Sequence, residues 1–157
     1  MEPICYLKGD ATNPVGDGNR IICHVCNDIG GWGKGFVMAL SKRWKEPEAN
    51  FRAWYKQGES NGFRLGAIQL VQVAPNLEVA NMIAQRDIRA IGGVPPIRYN
   101  ALTECLTALA KHATRAAASV HMPRIGCGLA GGVWSEVEAI ILSTLIASTV
   151  PTFVYDL

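Results

Sequence analysis

Twice in this chain a short apolar run feeds directly into a cluster of glycines. Arg20 to Cys26 (RIICHVC) leads into Asn27-Asp28-Ile29-Gly30-Gly31-Trp32-Gly33-Lys34-Gly35, and HMPRIG leads into Cys127-Gly128-Leu129-Ala130-Gly131-Gly132. The first run is rich in β-branched residues and predicts a buried strand. Each glycine cluster precedes a helical pattern. Ligands of open α/β sheets bind at the carboxyl ends of strands, where loop amides and helix N-termini point at them. Glycine lets a backbone come close and reach positive φ. Two such loops can grip an anion, and a diphosphate is the obvious candidate. The bland alternative is that the glycines only make tight turns. Neither loop matches the dinucleotide fingerprint or a phosphate loop ending in Gly-Lys-Ser/Thr. The glycines alone therefore support no more than a phosphate-containing small molecule.

The rest of the pattern predicts an α/β domain with helices on both faces of a parallel or mixed sheet. Pro3 to Lys8 predicts a first strand, closed by Gly9-Asp10. Phe36, Val37, Leu40 and Trp44 recur at helical spacing, and Pro47 suits the first turn of a second helix that buries Phe51, Trp54 and Tyr55. Ala67 to Val73 and Leu77 to Ala84 predict two strands around Pro75-Asn76, and Arg89 to Pro96 a loop. Asn100 is positioned to cap a helix whose apolar face carries Leu102, Cys105, Leu106, Leu109 and Ala113. Val120 to Ile125 predicts another strand. Ser135 and Glu138 form a capping-box pattern before Val137, Ile141 and Leu145, which share a face with Trp134. Pro151 to Leu157 predicts the closing strand.

Length and composition exclude several classes. The 157 residues fit one domain, spanning 1–157, since domains run about 100–200 residues. Charged residues are 18% and the net charge is +2, too balanced for a binder that relies on neutralising nucleic-acid phosphates. The longest apolar stretch, Ala139 to Val150, is broken by Ser143, Thr144, Ser148 and Thr149 and is shorter than a membrane span. The opening MEPICYLKGD lacks the basic-then-apolar plan of a signal peptide, and five cysteines without one predict reduced thiols in the cytoplasm.

Individual residues carry competing readings. Cys23 and Cys26, with His24 between them, hint at zinc or redox chemistry, but residues three apart on a strand face opposite ways and no second cysteine pair completes a site. No metal is expected. Cys127 is a candidate nucleophile if helix-terminus amides lower its pKa. His24 and His121 lie on strands and suit packing roles. Arg124 either holds a phosphate or covers the sheet edge. Asp10 either caps a turn or accepts hydrogen bonds from an exocyclic amine. Asn81, polar on an apolar strand, predicts a hydrogen-bonded structural role.

Together these pieces resemble the macrodomain family of ADP-ribose-binding modules, and within it the branch of the terminal ADP-ribose protein glycohydrolase. The resemblance rests on Lys8-Gly9-Asp10-Ala11-Thr12, on His24 through Phe36 (HVCNDIGGWGKGF) and on MPRIGCGL ending at Leu129, with Trp134 six residues beyond Gly128. It implies a three-layer α/β/α fold with a central mixed sheet. It implies that Asp10 holds the adenine amine with the Ala11 amide nearby. Gly33, Lys34 and Gly35 would form one phosphate-facing loop, and Ile125, Gly126, Cys127, Gly128, Leu129 and Ala130 the other. Asn27 would face the distal ribose. Two positions depart from the branch: Gln85 stands where it has a nucleophilic lysine, and Ala130 where it has an aspartate. A glutamine cannot form a Schiff base. The activity the resemblance implies is hydrolysis of ADP-ribose from acidic side chains of proteins, with deacetylation of O-acetyl-ADP-ribose as a further activity, without a lysyl intermediate. Gln85, Asn27 and Asp28 are the candidate catalytic residues. The alternative is an ADP-ribose reader without turnover. No cofactor is expected, and the expected partners are ADP-ribose and ADP-ribosylated proteins, with nucleic acid only as an ADP-ribosylated substrate.

Overall fold

The computed structural model describes residues 3–157. Six strands form one sheet: β1 (Cys5–Lys8), β2 (Arg20–Asn27), β3 (Ile68–Ala74), β4 (Leu77–Gln85), β5 (Ser119–Met122) and β6 (Thr152–Asp156). Their order is β1-β6-β5-β2-β4-β3. Every neighbouring pair is parallel except β3 with β4. Four helices complete the layers: α1 (Phe36–Arg43), α2 (Glu46–Gln57), α3 (Tyr99–Ala116) and α4 (Trp134–Ile141), the last running into a π turn at Leu142–Ile146. This is the mixed-sheet, three-layer α/β/α architecture expected.

The strand period sorts the core into two faces. Ile22, Cys26, Val79 and Ile83 pack with Leu40, Phe51 and Trp54 of α1 and α2. Ile21, Cys23, Ala80, Met82 and Ala84 pack with Leu102, Leu106 and Leu109 of α3 and Val137 and Ile141 of α4. Cys23 and Cys26 thus lie on opposite faces of β2, and among the described residues no group of His, Cys, Asp and Glu is arranged to hold a metal ion. Among the described residues no helix is long and apolar enough to cross a membrane.

Four local expectations fail for identifiable reasons. Tyr55 is 42% exposed rather than buried with Phe51 and Trp54, because it lies one residue further round α2 and packs its ring over Gly30 instead. Strand β5 stops at Met122 rather than Ile125, because Pro123 has no amide to extend the ladder. Helix α3 starts at Tyr99 after Arg98, so Asn100 lies inside the first turn instead of capping it. The Ser135–Glu138 capping box does not form either. Helix α4 starts at Trp134 after Val133, and the Glu138 carboxylate instead accepts the hydroxyl of Tyr6.

His24, His121 and Asn81 are buried and hydrogen-bonded, as packing residues are. His24 Nε2 lies 2.6 Å from Asn81 Oδ1, whose amide donates to Gln69 Oε1 and the Pro47 carbonyl. Val15 N–H donates to the Tyr155 hydroxyl (3.0 Å), which lies 2.7 Å from His121 Nδ1, and His121 Nε2 lies 2.8 Å from Ser119 Oγ. Burial lowers both imidazoles from the usual 6.5 to about 4. The unfolded chain therefore takes up protons first as pH falls. The part of the stability that the two neutral imidazoles supply, full above pH 6.5, is expected to be lost through the window from 6.5 to 4. Replacing His121 with Gln is expected to flatten this acid limb, read by urea unfolding at several pH values.

Candidate functional site

All five parallel strands end on the same side of the sheet, and their loops converge there. Asp10 follows β1, residues 28–35 follow β2, residues 86–98 follow β4, residues 123–133 follow β5, and Asp156 closes β6. β2 and β5 are neighbours, yet they pair only over Arg20–Ile22 and Ser119–His121. Beyond that point β2 runs on for five residues while β5 turns away at Pro123. The chain after β2 goes to α1 on one face, and the chain after β5 goes to α4 on the other. A crevice at such a parting of connections is where open α/β sheets take ligands.

The first loop is held from three directions. The Asn27 side chain accepts the Ile29 and Gly31 amides at 3.1 and 2.8 Å and donates to the Gly31 carbonyl at 2.9 Å. Arg52 of α2 donates to the carbonyls of Gly30 (3.2 Å) and Trp32 (3.3 Å). Trp32 is buried against Phe51 and His24, and its indole N–H donates to Ser41 Oγ. With the carbonyls so engaged, the amides of Gly33, Lys34 and Gly35 have no acceptor among the described residues. Gly30 has φ +75, and a Cβ there would sit 2.4 Å from the Tyr55 ring.

The second loop folds on itself. Gly132 N–H donates to the Gly126 carbonyl at 2.7 Å, and a Cβ on Gly132 would lie 2.2 Å from that oxygen. Residues Gly128–Ala130 make a 3-10 turn, and Ile97 N–H donates to the Ala130 carbonyl. The amides of Gly126, Cys127 and Gly128 have no acceptor among the described residues. The loops meet at one point: a Cβ on Gly35 would stand 3.4 Å from Leu129 Cδ1. Two rows of amides without a protein acceptor thus lie on loops that touch, and Leu129, at the point of contact, is largely exposed. Unpaired amides seek acceptors, and an anion supplies several at once.

The three candidate catalytic residues come together where β2 and β4 end. Asn27 lies opposite Gln85 in the ladder, and Asp28 N–H donates to the Gln85 carbonyl. Asp28 Oδ1 accepts the Asp87 amide at 2.7 Å, and Gln85 Nε2 donates to the Asp87 carbonyl. Asp28 Oδ2 and Gln85 Oε1 have no donor among the described residues. Asn27, by contrast, spends its amide on the loop, so its visible task is to shape the cradle.

At the other end of the crevice, Asp10 Oδ1 accepts both the amide and the hydroxyl of Thr12 (2.8 and 2.7 Å). Arg43, in the last turn of α1, donates to Thr12 Oγ1 at 2.7 Å and reaches Asp10 Oδ2 at 3.4 Å. The Thr12 hydroxyl, more than Arg43, holds the Asp10 carboxyl below its usual range. Ala11 is buried beside it. Arg43 and Arg52 carry no local sequence signal, since each acts on a loop about 20 or more residues earlier.

Two readings left open by the sequence are narrowed. Cys127 is not an activated thiol, because burial pushes its pKa up and the adjoining turn is only three residues long. Arg124 does not stand free for a phosphate: Nε and Nη2 donate to the two oxygens of Asp156 at 2.8 and 3.0 Å, and its guanidinium lies about 5 Å from the centres of the Tyr6 and Trp134 rings. It closes the sheet edge. A separate crevice of about 420 Å³ at the opposite end of the sheet is lined only by uncharged residues, among them Asn19, Thr114, Ser119 and Thr149, and holds none of the candidate site residues.

No family model matches the chain. The solved structures are more informative. A protein of unknown function from Bacteroides thetaiotaomicron is 56% identical, with a TM-score of 0.96 and 100% and 99% of the two chains covered. A macrodomain protein from Streptomyces coelicolor is 49% identical, with a TM-score of 0.89 and coverage of 98% and 99%. The chain belongs to the macrodomain family. This macrodomain is also similar in fold to Thermosipho africanus DarTG, solved in complex with ADP-ribose, at 17% identity and a TM-score of 0.70 over 86% of this chain and 37% of that one. Among curated proteins it is 30% identical, over 97% of its length, to the mouse Chromodomain-helicase-DNA-binding protein 1-like, and 32% identical to the Danio rerio counterpart. It spans only 17% and 15% of the lengths of those two relatives.

Proposed function

We propose that this macrodomain binds ADP-ribose across the crevice and hydrolyses the ester that joins ADP-ribose to acidic side chains of proteins. The observation that carries the binding is the pair of amide rows, 33–35 and 126–128, without protein acceptors on two loops that come together at Gly35 and Leu129. A diphosphate has oxygens enough to satisfy both rows. Asp10, at one end, presents Oδ2 to the adenine amine, while Arg43 and Thr12 keep its carboxylate ionised and oriented. The DarTG complex, a distant relative in the same fold, is consistent with this ligand.

The distal ribose then falls toward Gln85 and Asp28. Gln85 Oε1 orients a water, and Asp28 Oδ2 takes one proton from it as its oxygen attacks. The bond between ADP-ribose and the substrate's carboxylate breaks, and that carboxylate leaves as an anion that needs no proton. Holding the reactants in place supplies roughly 7–11 kcal/mol. A reader without turnover is the second reading, favoured by the amide at Gln85 and by the buried methyl of Ala130.

The deciding experiment incubates the pure protein with a glutamate-linked ADP-ribosylated protein and follows ADP-ribose release. Release is expected, with Asp28→Asn and Gln85→Ala each slowing it at saturating substrate. No release with intact ADP-ribose affinity would leave the reader. At the adenine end, Asp10→Ala is expected to weaken ADP-ribose by at least about tenfold, the loss of about one charge-assisted hydrogen bond. Ribose 5-phosphate affinity is expected to stay unchanged, and equal losses for both ligands by calorimetry would contradict the assignment.

A further inference from the structure

Between β4 and α3 the chain makes an excursion whose tip lies outside the candidate site. Gln85 and Ile97 form an antiparallel bridge at its base, and Arg86 N–H donates to the Pro96 carbonyl at 2.8 Å. At its tip Ile91 and Val94 exchange two amide–carbonyl bonds of 3.0 Å around Gly92 and Gly93, whose φ of 58° and 79° make a tight hairpin turn. Its flanks are tied to both ligand loops: Asp87 N–H donates to Asp28 Oδ1, and Ile97 N–H to the Ala130 carbonyl. The excursion is therefore a fixed projection on the rim of the crevice, beside Gln85.

Its surface is unusual for an exposed loop. Ile88, Ile91 and Val94 are 54%, 50% and 50% exposed, and Leu129 across the rim is 64% exposed. Residues 86–98 (RDIRAIGGVPPIR) hold three arginines against one aspartate, matching the +2 of the whole chain within 13 residues. Asp87 Oδ1 accepts its neighbour's amide at Ile88, and Arg98 is folded onto the carbonyls of Pro95, Pro96 and Ile97. Arg86 and Arg89 pair with no carboxylate among the described residues. Clustered exposed aliphatics mark contact surfaces.

We infer that this hairpin docks the polypeptide that carries the ADP-ribose, gripping an acidic segment through Arg86 and Arg89 and its aliphatic side chains through Ile91 and Val94. The inference rests on the ligand site proposed above. Charge complementarity selects the acidic partner. The aliphatic tip, with no aromatic residue in 86–98, selects polypeptide over single-stranded nucleic acid, which is held by aromatic stacking platforms. A turn already locked by its own hydrogen bonds loses little entropy on docking.

The test compares free ADP-ribose with a peptide bearing one ADP-ribosylated glutamate among acidic neighbours. With Asp28→Asn carried in every protein compared, so that the ester survives the measurement, the peptide is expected to bind at least about tenfold tighter than ADP-ribose, an increment of about 1.4 kcal/mol. The variants I91S/V94S and R86A/R89A are expected to lose that increment while free ADP-ribose binds within about twofold of wild type. A peptide with basic neighbours is expected to show no increment. Indifferent variants with normal ADP-ribose affinity would overturn the docking surface alone. So would an equal loss for both ligands, a larger loss for an ADP-ribosylated oligonucleotide, or a self-association of wild type that the variants abolish in sedimentation. Failure of wild type to bind free ADP-ribose would instead overturn the ligand site itself, and the docking surface with it.

Discussion

Gly128→Glu is expected to give a folded protein that no longer binds ADP-ribose. Gly128 has φ +63, and a Cβ there meets nothing within 4 Å, so the new side chain enters the open crevice without displacing the core. The backbone strain of a non-glycine residue in that conformation is roughly 1–2 kcal/mol, too little to unfold a domain of ordinary stability. The carboxylate, however, stands beside the amides of Gly126 and Cys127 and satisfies them itself. Its repulsion of a diphosphate at about 4 Å is of order 4 kcal/mol at a surface-like dielectric, or about a thousandfold in affinity. Gly128→Ala carries the same strain without the charge and is expected to keep most of the binding. Calorimetric titration beside circular dichroism separates the two. Wild-type affinity in folded Gly128→Glu would displace the diphosphate from the second loop.

Asn27→Ala is expected to cost the protein both stability and ligand. Its side chain makes three hydrogen bonds to the loop that carries Gly33, Lys34 and Gly35, and it is 8% exposed, so no water easily replaces them. At about 1 kcal/mol each, their loss amounts to roughly 2–3 kcal/mol. Once the loop relaxes, its amide row no longer converges on the crevice, and ADP-ribose affinity is expected to fall by at least about tenfold, as preorganisation is lost. Asn27→Asp keeps the two accepted bonds but replaces the donated one with repulsion from the Gly31 carbonyl, and is expected to fall between the two. If Asn27→Ala left affinity intact and slowed only turnover, Asn27 would act on the reacting groups rather than on the cradle.

These two residues mark what was legible in the sequence. Glycine clusters after apolar runs announce loops that need positive φ and close approach, so the loops at 30–35 and 126–132 could be placed from spacing alone. The alternation along β2 likewise foretold Cys23 and Cys26 on opposite faces. What spacing could not reveal is long-range. Arg52 fixes the Gly30 and Trp32 carbonyls from a helix 20 residues away, and Arg43 steadies Asp10 from 33 residues away. Local signals also misled where tertiary contacts overruled them. Ser135 and Glu138 spell a capping box, yet Tyr99 and Tyr6 engage that helix start instead, and Glu138 turns to Tyr6. The thiol of Cys127 looked activated by neighbouring amides, but burial pushes its pKa the other way.

If a diphosphate sits between the loops, the two amide rows receive the same ligand. Following backbone amide resonances while ADP-ribose is added measures this directly. The largest shifts are expected at Gly33, Lys34, Gly35, Gly126, Cys127 and Gly128, moving together along one binding curve, with a separate response at Asp10 and Ala11 that AMP alone reproduces. Saturating ADP-ribose that left these six amides unmoved, or moved one row without the other, would contradict it.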